Sequence, residues 1–496
     1  MGAVSRYIAL DLGAESGRAI LGEFDGRRLR LEPVHRFPNG PVRLLDSIYW
    51  DVLRLFEEIK AGLRRCVQDH GGEWAGIGLD TWGVDFGLLD RNGDLLGNPY
   101  HYRDQRTEGI FEEAFRRVPR EEIFERTGIQ FMPLNTLFQL LAMALKRSPI
   151  LDVAQTLLTM PDLFNYWLTG RKVCEFTIAT TTQCYDPRTG DWARGMMESM
   201  SIPTHFFPEV VMPGTVLGDL LPSVADEIGA GEIPVIAPAC HDTGSAVVAV
   251  PAAGNDHLYI SSGTWSLVGV ELTQPLISNR VLELNVTNEG GAAGTFRFLK
   301  NIMGLWLLQE CRRTWSREGQ QLSYDELGEL ATRAKSFAAL VNPDDASFLP
   351  HGDMPKRLAE FCRKTGQSLP EDKGAVVRCA LDSLALRYRW VLERVEELLG
   401  RRLSPIHVMG GGSQNRLLCQ LTANVTQRPV VAGPIEATAM GNVLVQAMAR
   451  GELSSLAQAR QVVGDSTELI TYEPKPGGQE QCAAAYARFE NLLAQA

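Results

Sequence analysis

A chain of 496 residues, 45% hydrophobic and 22% charged, is too long for one ordinary core and has the make-up of a globular protein of two or three domains. A net charge of −11 argues against a nucleic-acid partner, which needs clustered Lys and Arg, but leaves phosphate ligands open, because backbone N–H groups hold phosphate without net positive charge. No apolar run is long enough to cross a bilayer, the N-terminus has no basic-then-apolar leader pattern, and the nine cysteines form no CxxC pair or Cys/His cluster, so neither a membrane partner, zinc nor a disulfide framework is expected and a reducing cytoplasm is the expected location.

Tyr7–Leu12 reads as a buried strand, Gly13–Arg18 as a tight turn and Ala19–Phe24 as a second strand, with Asp25-Gly26 signalling a hairpin into a third. The turn's clustered N–H groups can cradle phosphate oxygens, although the same residues also suit an ordinary glycine hairpin. Trp50–His70 has helical spacing of apolar residues. Ala75–Phe86 reads as a strand, a sharp turn and a second strand. Within it, Trp82-Gly83 suits either a sugar-sized pocket, with the indole as wall, or a core Trp beside a turn Gly. Residues 108–230 are mostly helical in pattern, with a loop around 131–136 and a Thr-rich stretch at 177–182 that suggests no chemistry by itself.

Near the midpoint lies Ala237-Pro-Ala-Cys-His-Asp-Thr-Gly-Ser-Ala246, an apolar run turning into a small-residue helix. Asp242 there can be a helix cap or a catalytic carboxylate reaching into a cleft. Pro251–Asp256 has linker composition, and the chain then restarts: strand 257–261, turn Ser262-Gly-Thr264, strand 265–272. This repeats the opening device, and a duplicated β-turn-β phosphate loop implies two related domains facing one nucleotide. A third turn, Gly410-Gly-Gly-Ser-Gln-Asn415, lies between the strand 406–409 and a helix. Leu299–Gln309 reads as the entry to an amphipathic helix, about 375–399 as a long helix, and the last 45 residues as helical and peripheral.

The order Asp11-Leu-Gly-x-x-Ser-Gly-Arg18, Ser262-Gly-Thr-Trp-Ser266 and Gly410-Gly-Gly-Ser-Gln-Asn415 resembles the FGGY family of sugar kinases. The resemblance runs from about residue 7 to 475 and implies an α/β fold of two actin-like (ribonuclease-H-like) ATPase domains, with a cleft between them that holds ATP and Mg²⁺. The domains would be residues 1–250 and 251–496, the second with a helical tail from about 451, and the linker would act as a hinge. Asp80-Thr-Trp-Gly-Val-Asp-Phe86, Tyr102-Arg-Asp-x-Arg-Thr107, Gly128-Ile-Gln-Phe131, His241-Asp-Thr243, Asn301–Gln309 and Asn342-Pro-Asp-Asp345 are most similar to the branch that phosphorylates L-rhamnulose at its 1-hydroxyl. By position, the resemblance implies Asp242 as general base. It implies Gly83, His241, Asp242, Thr243 and Asn301 at the sugar, and Ala14, Glu15, Ser16, Gly17, Arg18, Thr264, Gln309 and Gly411 at ATP. Asp11 would face Mg²⁺ through water. The wider family has a Lys and a Trp around 136 and 139, where this chain has Thr136 and Gln139; this counts against a pentulose or glycerol kinase. Glu15 replaces a small polar residue and is expected to point outward. L-Fuculose or a pentulose as acceptor, and a non-catalytic actin-like ATP-binding protein, are the alternatives. The residues do not fix an oligomeric state.

Overall fold

Tyr7–Leu12 is buried at every position, as a strand must be when both faces of its sheet are covered. In the computed structural model, which describes residues 4–368 and 372–495, the chain forms two compact units. The first comprises Met1–Pro251, Glu271–Phe298 and Ala437–Ser466; the second comprises Ala252–Val270, Leu299–Glu436 and Thr467–Ala496.

The first unit is built on strands β1 (Ser5–Leu12), β2 (Ser16–Phe24), β3 (Leu29–Pro38), β4 (Gly76–Thr81), β5 (Val216–Asp219) and β6 (Pro234–Ile236). They lie in the order β5-β6-β4-β1-β2-β3. β1, β2 and β3 are an antiparallel meander, whereas β4 runs parallel to β1 and β6 parallel to β4. Asp11 and Asp80 are register partners at the ends of β1 and β4, so the pairing itself places two carboxylates side by side. Helix Val52–His70 covers the meander, and a Cβ on its Gly62 would come within 2.7 Å of the Ala19 methyl. Helix Ala437–Ala449 also packs on the sheet, through Val443 against Gly22 and through Asn442 and Gln446 against Gly78.

The second unit contains β7 (Leu258–Ser262), most of β8 (Trp265–Leu272), the end of β9 (Phe296–Met303), β10 (Ile406–Met409), β11 (Val430–Ala432) and β12 (Ile470–Tyr472). They follow the order β9-β8-β7-β10-β11-β12. β7 and β8 form an antiparallel hairpin, β10 runs parallel to β7, and β11 parallel to β10. The plan of the first unit is thus repeated.

Some expected elements differ. β2 begins at Ser16, so the first turn is shorter than its glycine spacing suggested. Residues 299–303 complete β9, and the helix expected there starts only at Trp306, because the sheet ladder holds the segment extended up to Gly304. Between 108 and 230 the helices are interrupted by short strands such as Thr156–Thr159, which pairs with Phe86–Leu89. The final segment supplies helix Leu456–Ser466 to the first unit and β12 to the second, ahead of helix Gln479–Ala494. Cys362 and Cys379 are both free thiols, and each influences the other's ionisation.

Helix Asp242–Val248 crosses helix Ala437–Ala449 at Gly441, where an added Cβ would stand 1.8 Å from the Ser245 carbonyl oxygen. Gly441→Ala must therefore push the two helices apart. We expect a loss of about 1–3 kcal/mol of stability, read as a lowered denaturation midpoint in urea.

Candidate functional site

The first turn connects Leu12 to Gly17, which face each other at the end of the β1–β2 ladder. Its carbonyls are tied down: Gly13 N–H donates to Ser16 C=O at 3.0 Å, Asn39 Nδ2 donates to Gly13 C=O at 2.8 Å, and Asn39 N–H donates to Glu15 C=O at 2.9 Å. Fixing the acceptors inward suits a turn that offers amides to an anion. Gly17 has a packing reason as well, since a Cβ there would lie 2.1 Å from the Phe37 ring. Arg18 points back along the ladder and donates to Asp11 Oδ2 at 2.5 Å. The side chains of Ala14, Glu15 and Ser16 are half-buried.

The corresponding turn of the second unit is held in the same manner by different atoms. Leu305 N–H donates to Gly263 C=O at 2.9 Å, and the Gly304 and Trp306 N–H groups donate to Thr264 C=O at 3.1 and 3.2 Å. Gln309 sits one turn into the helix that begins at Trp306, with a buried Oε1 that has no hydrogen-bond partner among the described residues. In the glycine turn, Gly410 takes φ 80° and Gly412 packs on Ser262, while a Cβ on Gly411 would meet nothing within 4 Å. The three glycines therefore do different work, and only Gly411 of the three presents its backbone to open space. Asn301 lies on β9, beside buried Lys300, whose ammonium burial pushes down to about 7.

Asp242 is the first residue of its helix rather than the cap; His241 is the cap residue. Asp242 Oδ1 accepts from Thr243 N–H at 2.5 Å and Thr243 Oγ1 at 3.2 Å, and Oδ2 makes no hydrogen bond among the described residues. Its side chain keeps 28% of its surface accessible, yet the surrounding protein pushes the carboxyl pKa up by desolvation, opposed by His241 and reinforced by Asp11. His241 Nε2 lies 3.5 Å from Asp242 Oδ1, and Nδ1 accepts from Arg297 Nη2 at 2.9 Å.

The Thr-rich stretch, silent in the sequence, is the frame of this region. It forms helix Phe176–Thr181, capped by Glu175, whose carboxylate accepts from Thr177 N–H, Ile178 N–H, Thr177 Oγ1 and Cys240 N–H. Thr177 Oγ1 in turn accepts from His241 N–H at 3.1 Å, Thr181 Oγ1 from Val84 N–H at 3.3 Å, and Thr180 Oγ1 from Gly290 N–H at 2.7 Å. Gly83 backs onto Thr181, and Thr243 is buried beside Asp242.

Trp82 takes the core reading. It is buried, its ring centroid is 4.0 Å from that of Trp50, and its Nε1–H donates to Asp85 Oδ2 at 3.0 Å. Asp85 also accepts from Trp50 Nε1, Tyr102 N–H and Gln139 Nε2; burial still pushes its carboxyl up to about 6 against the indole and amide donors. Thr136 and Gln139 both donate to the Val84 carbonyl, holding Val84 at φ 69°, a strained conformation for a β-branched residue. Asp104 and Arg106 do not pair through their side chains: Asp104 caps its own turn, and the Arg106 guanidinium bonds Gln139 Oε1.

Among the described residues no group of three or more His, Cys, Asp or Glu could hold a metal ion directly. Asp11, Asp80 and Asp242 nevertheless act on one another electrostatically, and burial followed by the Asp11 charge pushes the Asp80 carboxyl well above its usual range. Asp80 Oδ1 is buried without a hydrogen-bond partner among the described residues, while Oδ2 accepts from Asn442 at 2.6 Å. Such a carboxylate group fits a cation held through water rather than caged.

Residues 6–249 match the N-terminal domain of the FGGY family of carbohydrate kinases, and residues 258–450 match its C-terminal domain. The chain belongs to this family. Along the whole FGGY chain, a relative from Bacteroides thetaiotaomicron called rhamnulokinase is 47% identical, covering 98% of this chain and 99% of its own. A rhamnulokinase from Oceanobacillus iheyensis is 42% identical over 94% of this chain and 97% of its own. The solved structure of ligand-bound xylulose kinase from Lactobacillus acidophilus shares the FGGY fold at a TM-score of 0.83 and 16% identity, covering 99% of this chain and 98% of its own. Gluconate kinase from the same organism does so at 0.81 and 16%, with the same coverage. No helix among the described residues is long and apolar enough to cross a membrane.

Beneath the Glu175 frame, Asp162 is buried, bonded to Thr159 Oγ1 and Glu175 N–H, and burial pushes it up to about 7 from an ordinary value of 3.8. The folded protein thus retains a proton that the unfolded chain has released across that interval. The corresponding stability is complete below about pH 4 and is lost as pH rises towards about 7. Asp162→Asn keeps an oxygen to accept from Glu175 N–H and sets a non-titrating NH2 beside Thr159 Oγ1, whose hydroxyl can turn to accept, so calorimetric melting temperatures measured from about pH 4.5 to 7.5 should fall less steeply in the variant than in the wild type.

Proposed function

We propose that this chain transfers the γ-phosphoryl group of ATP to the 1-hydroxyl of L-rhamnulose, giving L-rhamnulose 1-phosphate and ADP. The observation that carries this reading is the 47% identity, over nearly the full length of both chains, to a relative called rhamnulokinase. On this reading residues 1–250 supply the sugar site, the first phosphate turn and the base. Residues 251–496 supply Asn301 to the sugar, the second phosphate turn and the glycine turn. On the same reading the enzyme works in a reducing cytoplasm, which suits its nine free cysteines.

Phosphoryl transfer asks the protein to align donor and acceptor, stabilise charge and remove one proton. Asp242 is assigned as the base. Its Oδ1 is fixed by Thr243 N–H, which leaves Oδ2 to accept the proton of the sugar hydroxyl. A carboxylate whose pKa is pushed up by its surroundings is a better proton acceptor than one in water, and this supports the assignment. Gly83, His241, Thr243 and Asn301 are assigned to orienting the sugar. Residues 14–18, Thr264, Gln309 and Gly411 are assigned to ATP: the two turns donate N–H groups to phosphate oxygens, and the unpartnered Gln309 Oε1 can accept a hydrogen bond from the nucleotide. Mg²⁺, held by Asp11 through water, would neutralise charge on the phosphate oxygens.

Coupled ADP release tests this. L-Rhamnulose should stimulate turnover more than L-fuculose or a pentulose, and Asp242→Asn should retain sugar binding by calorimetry while losing kcat by about 10²–10⁴. Near-normal turnover in Asp242→Asn overturns the base, and a stronger response to another ketose overturns the substrate.

A further inference from the structure

Arg297 is fully buried on β9, within the first unit, together with all the groups it touches. Its Nε–H donates to the Gly290 carbonyl at 2.7 Å, and its Nη2 donates to His241 Nδ1 at 2.9 Å while lying 3.2 Å from Glu289 Oε2. The Gly290 end is itself anchored, because Gly290 N–H donates to Thr180 Oγ1 at 2.7 Å. The His241 backbone is anchored by Thr177 at 3.1 Å. Both ends of the contact are therefore set by the same helix, Phe176–Thr181.

A guanidinium has donors only and does not lose its proton, so the nitrogen that meets it must be an acceptor. Nδ1 of His241 is that acceptor, and a neutral imidazole carries its single proton on the other nitrogen. The other nitrogen is Nε2, 3.5 Å from Asp242 Oδ1. Without Arg297 the choice would reverse, because Glu289 Oε2 lies 3.4 Å from Nδ1 and would draw a proton there. The charged groups around the ring are Asp242 on its own helix, Glu289 on strand Thr287–Gly290 and Arg297 on β9. Asp80 on β4 and Asp11 on β1 act from the Asp242 side, and Glu175 holds the neighbouring Cys240 N–H.

We infer that Arg297 is a positioning residue: by donating to Nδ1 of His241 it keeps the ring proton on Nε2, turned towards Asp242, and so holds the carboxylate in place for proton removal. This rests on the assignment of Asp242 as base. In Arg297→Met the ring proton moves to Nδ1 and the Nε2 lone pair faces the Asp242 carboxylate, which repels it.

Two measurements test this. In the wild-type protein, ¹⁵N NMR of labelled histidine at about pH 8, with His241 assigned by the signal lost in His241→Gln, should show the Nε2–H form. This readout needs neither turnover nor a variant of Arg297, so it stands whether or not the substrate reading does; an Nδ1–H form overturns the inference. In Arg297→Met, kcat for ADP release with L-rhamnulose should fall by about tenfold to a hundredfold, and the His241 signal should move to the Nδ1–H form. Glu289→Gln, which removes the competing negative charge and leaves Arg297 in place, should keep the Nε2–H form, and an Nδ1–H form there overturns the inference. A His241 signal that stays in the Nε2–H form in Arg297→Met, or unchanged kcat, overturns the positioning role.

Discussion

The buried carboxylate of Glu175 governs the geometry around Asp242. It gathers N–H groups from two segments far apart in sequence: Thr177 and Ile178 at the start of one helix, and Cys240 two residues before Asp242. It also fixes the Thr177 hydroxyl, which passes the restraint on to His241. Burial pushes this carboxyl up to about 8 despite those donors. A charge in such a place is costly unless hydrogen-bonded, and the four donors here offset only part of that cost. The helix so capped then uses successive threonines to hold Val84, Gly290 and the His241 backbone, which belong to three different stretches of chain.

The parts of this arrangement that the sequence displays are those written in short-range pattern. The β-turn-β device and its second copy are visible as apolar runs broken by glycine and serine, and the paired ladders follow that pattern closely. The strand–glycine turn–helix at 406–426 is visible for the same reason. Tertiary partners leave no such trace. Asn39 locks the first turn from the far end of a strand, Glu175 caps a helix whose threonines look like filler, and Arg297 reaches His241 from 56 residues away. A capping carboxylate followed by Thr-x-x-Thr-Thr was the one local signal that could have pointed to the frame. The helix misplaced at 299–305 has the converse cause: its apolar spacing suits a helix, but the neighbouring strand extends it.

Thr136 and Gln139 show how a departure from a family pattern becomes intelligible only in three dimensions. As isolated letters they merely argue against some sugar kinases. In the structure they support the turn between Thr81 and Phe86, both bonding the Val84 carbonyl, with Gln139 also bonding Asp85, the carboxylate that joins Trp50 and Trp82. The indole that could have been a sugar wall is instead part of this buried network, while Gly83 keeps its place beside Thr181.

The division of the chain bears on its synthesis. The first unit draws on residues as late as Ser466, including Asn442, which donates to Asp80 Oδ2, and Gln446, which donates to the Ile8 carbonyl. An emerging polypeptide therefore cannot finish this unit when its first half leaves the ribosome. Until the last quarter of the message is translated, Gly78 and its neighbours lack their covering helix and an apolar sheet face stays open. Long-range closure of this kind slows folding and makes the nascent chain a natural client for proteins that shield exposed apolar surface.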